Sequence, residues 1–157
     1  CVVGKDENGG YRVIKTALVT EALEAEGTTV KVNKSHLFAI GDFVTVGGDL
    51  KGASDKITAI DKSNDGYDVI TLEAKIGAAK VGQVLVGVKE KSTAGKATLV
   101  TSSSELVITL SKVDLTVANQ SCGLMVRGTI SEGNMPFPID AGLKALMSLI
   151  RFVNKKS

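Results

Sequence analysis

Lys56-Ile57-Thr58-Ala59-Ile60-Asp61-Lys62-Ser63-Asn64-Asp65-Gly66-Tyr67-Asp68-Val69-Ile70-Thr71-Leu72-Glu73 reads as two strands joined by a turn. Lys56–Asp61 is short and rich in apolar and β-branched residues, which suit a pleated, half-buried surface. Asn64-Asp65-Gly66 supplies residues that tolerate the positive φ of a hairpin turn. Tyr67–Glu73 then alternates, with Asp68, Ile70 and Leu72 on one face and Tyr67, Val69, Thr71 and Glu73 on the other. A period of two sets this part of the chain as β-structure.

The same period runs outward from Thr28 to Glu90. Thr28–Val32 alternates and Asn33-Lys34-Ser35 is a turn. In Phe38–Val46 a Gly41-Asp42 turn precedes an alternating strand, which Gly47-Gly48-Asp49 closes. Gly77 and Gly82 mark turns before Val84–Val88. Short strands with turns roughly every 8–12 residues predict a small β-barrel-like module over 28–90.

On the N-terminal side, 1–27 is expected to be an arm and a strand. Asp6-Glu7-Asn8-Gly9-Gly10 is polar and turn-rich, and Tyr11–Val19 suits a strand. Thr20–Glu26 fits either a short helix ended by Gly27 or a charged loop. On the C-terminal side, 91–157 is expected to be a β lobe with one helix. After a polar linker at Lys91–Lys96, strand signals fall at Ala97–Thr101, Leu106–Leu110, Leu115–Ala118 and Gly123–Ile130. Pro136-Phe137-Pro138 precludes regular sheet. Asp140 is a candidate N-cap, and Ile139, Leu143, Leu146, Met147 and Ile150 recur at helical spacing, so a helix is predicted over about Ala141–Leu149. Arg151-Phe152-Val153 reads as a closing strand. The fold class is therefore mainly β (α+β with one short C-terminal helix), a small β-barrel-like module plus a second β-rich lobe.

Composition narrows function. The 157 residues are 43% hydrophobic and 23% charged, which excludes a disordered, solvating chain. Nineteen Lys+Arg against 17 Asp+Glu leave a formal +2, so no basic field attracts nucleic acid or an anionic membrane. No apolar run reaches the roughly 20 residues of a membrane span. There is one His, no Trp and two Cys far apart, Cys1 and Cys122. Few residue types remain from which to build an active site, so no catalytic residue, metal or cofactor is expected. With aromatics at only 4%, a sugar-stacking site is disfavoured, and Phe38, Phe43, Phe137 and Phe152 are expected to be buried.

The individual motifs have plainer structural readings. Asp61-Lys62-Ser63-Asn64-Asp65-Gly66 begins like a calcium loop, but Leu72 stands where the twelfth position needs a bidentate carboxylate. A hairpin turn explains it better. Gly95-Lys96 lacks the upstream Gly and following Ser or Thr of a phosphate loop. His36 has no partner His and is expected at a surface or turn. Cys122 is expected to be a buried free thiol. Asp61 with Asp65, or Asp42 with Asp49, would be acid–base pairs only if desolvated, and turn carboxylates are usually hydrated. Arg127 reads as an exposed strand residue or as an inter-subunit contact that bonds a carboxylate.

The C-terminal third carries a resemblance. Val117-Ala118-Asn119, Gly123-Leu124-Met125-Val126-Arg127-Gly128-Thr129-Ile130, Met135-Pro136-Phe137-Pro138-Ile139, Leu143-Lys144-Ala145-Leu146 and Ile150-Arg151-Phe152-Val153 follow in that order. The series resembles the tail of phage head fiber proteins and of the head decoration proteins of lambda-like phages. His36–Val44, Ile57–Asp61 and Tyr67–Leu72 are similar to modules of phage and prophage virion proteins. Leu149 stands where lambda-like relatives usually have Gly, and the middle module is longer than a minimal decoration protein needs.

The resemblance implies a structural virion protein on the outside of a phage head, a capsid decoration or head fiber protein that braces the shell. It implies the major capsid protein as partner and a homotrimer, with no nucleic acid and no membrane. The subunit or capsid interface would then involve Val13, Ile14, Leu124, Arg127, Pro136, Phe137, Leu143 and Leu146. An arm at Cys1–Ala17 would add a strand to a neighbouring sheet edge. The alternative is a secreted or lipid-anchored bacterial surface β domain with a binding role, with Cys1 as lipid site, though no signal peptide is visible to support it.

Overall fold

A computed structural model describes residues 1–48, 50–95, 97–101, 106–111 and 121–154. The N-terminal strands are β1 (Val2–Lys5), β2 (Tyr11–Val13) and β3 (Thr16–Leu18). The central strands are β4 (Thr29–Val32), β5 (Phe43–Val46), β6 (Ser54–Asp61), β7 (Asp68–Leu72) and β8 (Val84–Val88). The C-terminal part contributes β9 (Leu106–Thr109), β10 (Leu124–Met125), β11 (Gly128–Ser131), a 3-10 turn (Glu132–Asn134), helix α1 (Ala141–Leu146) and β12 (Ile150–Val153). The chain is mainly β with one short helix, as its periodicity predicts.

The β6–β7 hairpin forms where the sequence places it, with Ile60 opposite Ile70. Its alternation is literal: Asp68, Ile70 and Leu72 are buried while Val69 and Thr71 are half-exposed. The hairpin belongs to a six-stranded sheet of order β3-β8-β5-β6-β7-β4. This sheet curls around a core of Val19, Val30, Val32, Val44, Ile57, Ile70 and Leu85. Its edge strands β3 and β4 approach each other at a single bridge, Val19–Val32. There Thr20 N–H donates to Lys31 O at 2.9 Å and Asn33 N–H to Leu18 O at 2.9 Å. No continuous ladder joins the two edges, so the expected barrel-like module is a curled open sheet rather than a closed barrel.

A second core gathers Val2, Ile14, Val84, Val86, Leu99, Leu106, Ile108, Leu143, Met147 and Ile150. Strand β8 walls both cores. Leu85 faces the first and its neighbours Val84 and Val86 face the second, so every residue of the strand is buried. That explains its unbroken apolar run, since a strand covered on both faces has no polar side.

Several segments settle or depart from expectation. Tyr11–Val19 divides between two sheets: β2 pairs with β1, and β3 pairs with β8. The N-terminal arm is not free, because β1 lies between β9 and β2 in a four-stranded sheet of order β10-β9-β1-β2. Of the two readings of Thr20–Glu26 the loop is the one that forms, with Leu23 bridged to Ala79. Gly123–Ile130 breaks into β10 and β11, with the chain turning at Val126-Arg127. The predicted strand at Leu115–Ala118 lies outside the described residues, as do Asp49 and Lys96.

β11 and β12 pair in parallel, from Gly128–Ile150 to Ser131–Val153. Parallel neighbours require a crossover, and α1 supplies it here. Asp140 caps the helix, its Oδ2 accepting from Gly142 N–H at 2.7 Å. The helix ends at Leu146, earlier than predicted, because Met147 leaves helical geometry at φ −108° and ψ 62°.

Candidate functional site

The residues expected at an interface fall into two groups. Ile14 and Leu143 are corrections: both side chains are buried in the second core, where their faces of the chain meet β8. Neither reaches the surface. The others do. Val13 is half-buried on β2, Leu124 half-buried on β10, and Phe137 half-buried before α1. Arg127, Pro136 and Leu146 are exposed.

Leu146 borders a surface groove of about 290 Å³. Among the described residues its walls are Tyr11, Leu106, Val107, Val126, Leu146, Met147, Ser148 and Leu149. Tyr11 is 51% exposed, Val126 62% and Leu149 59%, so large apolar side chains from three distant segments stand in water around one depression. Local chemistry places each of them. Asp6 holds the β1–β2 turn, its Oδ1 accepting from Asn8 and Gly10 N–H at 2.9 Å each, and this sets Tyr11 at the start of β2. The early end of α1 lets Ile150 N–H reach Met147 O at 3.0 Å, which leaves Leu149 outside the core. Gly128 N–H donates to Leu149 O at 3.3 Å and so brings the Val126-Arg127 turn beside Leu149.

The charges near this groove are unevenly matched. Lys144 pairs with Glu132 at 2.6 Å and lies over the Phe152 ring at 5.9 Å. Arg127 follows Val126, and Arg151 lies two residues past Leu149. Both are exposed, and neither has an ion-pair partner among the described residues. A smaller hollow of about 190 Å³ involves Arg12, Val13, Lys15, Asp42 and Phe43, and its charges are already matched by Lys15 Nζ on Asp42 Oδ2 at 2.6 Å.

Other titratable groups serve the fold. His36 is a correction, since its side chain has no exposed surface. Its Nδ1 accepts from Phe38 N–H at 3.2 Å, so the ring proton is assigned to Nε2. Nε2 lies 3.1 Å from Asp68 Oδ2 without the alignment of a hydrogen bond. Lys34 Nζ meets the other Asp68 oxygen at 2.8 Å. Burial pushes the His36 pKa below its usual value, and the nearby Asp68 only partly offsets this. Asp61 accepts from Ser63 N–H at 2.9 Å and Asn64 from Gly66 N–H at 2.9 Å, the bonds of a side-chain-stabilised turn. The Ser63 bond also holds the Asp61 carboxyl below the ordinary range. Cys122 is half-exposed rather than buried, and Cys1 likewise. Among the described residues no three His, Cys, Asp or Glu side chains group as they would around a metal ion. No helix among them is long and apolar enough to cross a membrane.

Only Leu146 and the neighbourhood of Arg127 were legible as a site. Tyr11 and Leu149 had no signal, because an exposed and a buried apolar residue look alike within an apolar run. No family model, curated protein or solved structure matches the chain.

Proposed function

We propose that this chain is a structural binding protein of a phage head, a capsid decoration or head fiber protein that attaches to the major capsid protein from outside and braces the shell. The groove with its exposed apolar side chains carries the reading. Exposed Tyr11, Val126 and Leu149 around one depression are what a docking surface needs. Shell bracing also favours a well-packed body, and the two cores on either side of β8 fit that need. The resemblance of Gly123–Val153 to head fiber and decoration proteins supports the same reading.

The homotrimer belongs to this proposal. Light scattering at high protein concentration is expected to give three times the chain mass, and a stable monomer would remove it. Co-sedimentation with undecorated phage heads tests the function directly. Saturable pelleting at micromolar protein is expected, and absence of pelleting defeats the reading.

A further inference from the structure

We infer that the Tyr11–Leu149 groove receives a short extended segment of a partner protein that carries one apolar and one acidic side chain; applied to the shell protein, this rests on the function proposed above. Size argues for a segment rather than a flat face. Eight residues wall the groove, whereas a standard protein interface uses about 20–30 residues a side. The side chains of Val126, Leu146 and Leu149 would hold an aliphatic or aromatic side chain. Arg127 is not itself a wall, but it follows the wall residue Val126, is exposed and has no carboxylate of its own among the described residues, so it supplies a cation at the rim for the acidic one.

Backbone geometry argues for the extended form. β2 is an edge strand, paired only with β1. Val2 O accepts from Ile14 N–H at 3.0 Å, so Val2–Ile14 and Gly4–Arg12 are the hydrogen-bonded pairs of this antiparallel ladder. The N–H and C=O groups of Tyr11 and Val13 therefore point away from β1, and no strand among the described residues takes them up. An incoming strand bonded to those groups would run along the outer side of β2 and enter the groove across Tyr11, the one residue that this edge and the groove wall share.

Two arms test the inference. In the first, a displayed library of random ten-residue peptides is selected on the immobilised full chain. Enrichment of peptides that pair an apolar residue with Asp or Glu is expected. Their binding should fall at least tenfold on Val126→Asp, Leu149→Asp and Arg127→Glu, and stay unchanged on Val81→Asp, an equally exposed position outside the groove. Val13→Pro removes one outward N–H that the β1–β2 ladder does not use, and it should weaken the same peptides. No enrichment, or equal binding to groove variants that remain folded by circular dichroism, overturns the inference. In the second arm the same variants are sedimented with undecorated heads. Wild-type pelleting lost in the groove variants supports both claims. Wild-type pelleting retained by all of them overturns the groove as the shell contact. Wild-type failure to pellet defeats the phage-head reading and leaves the peptide arm to judge the groove.

Discussion

The carboxylate of Asp140 occupies the space that a side chain on Gly47 would need. A Cβ at position 47 would collide with Asp140 Oδ1 and lie 2.6 Å from Val84 O. A Cβ at position 142 would lie 2.6 Å from Gly48 O. The start of α1 is thus seated on the end of β5 through the absence of side chains at Gly47 and Gly142, while Asp140 Oδ2 caps the helix.

Gly47→Ala should destabilise the chain by about 1–3 kcal/mol, since Val84 O is backbone and cannot swing aside. Asp140→Ala should cost about 1 kcal/mol as a lost N-cap. The double variant should cost less than the two singles together, because removing the carboxylate relieves half of the collision. Urea unfolding of the four proteins measures this coupling. Strict additivity would mean that the two residues do not press on each other.

Cooperativity follows from β8. Leu85→Ala opens a cavity in the first core and Leu143→Ala in the second, each with an expected cost of about 2–5 kcal/mol. Because Val84, Leu85 and Val86 form one strand between the cores, both variants should lower the same single transition in calorimetry. Two transitions, each moved by only one variant, would separate the lobes energetically.

Stability should fall on the acid side through His36. Burial lowers its folded pKa below the 6.5 of the free side chain. The groups acting on it are Asp68 on β7, which favours the charged ring, and Lys34 and Lys62, which oppose it. The unfolded chain therefore binds the proton more readily than the folded one. The contribution is complete above pH 6.5 and is lost as pH drops towards the folded pKa, with a slope of at most about 1.4 kcal/mol per pH unit. His36→Gln should flatten that limb below pH 6.5. An unchanged slope in the variant would assign the acid sensitivity elsewhere.

How much of this was visible in the sequence depends on which contacts are local. The β6–β7 hairpin and the Asp140 cap were legible because turn, alternation and capping are written within a few residues. The pairing of β1 with β9 was not. Val3 meets Val107 across most of the chain, and nothing near either residue names its partner. The division of Tyr11–Val19 was hidden for a related reason: an apolar run looks continuous even where it passes from one sheet to another. His36 was misplaced because its burial is decided by Asp68 and Phe38, not by its neighbours' polarity. The groove draws on Tyr11, Val107, Val126 and Leu149, so it exists only once the non-local pairings are made.

The turn that carries Arg127 depends on Gly128, whose φ of +156° lies in a region that side chains rarely adopt. A Cβ there would also sit 3.0 Å from Met125 Sδ. Gly128→Ala should therefore cost about 1–3 kcal/mol. Gly133, five residues on, has open space around it and no positive φ, so Gly133→Ala should stay within about 0.5 kcal/mol. The contrast is local: Gly128 opens β11 in a positive-φ conformation, whereas Gly133 sits in the 3-10 turn that follows the strand without one. Thermal melts of the two variants provide the comparison. Hydrogen exchange at Gly128 N–H in wild type should report its bond to Leu149 O as a protected amide. Equal stability of the two variants would mean that the turn tolerates a side chain, and that Val126 and Leu149 are held together by something other than this backbone contact.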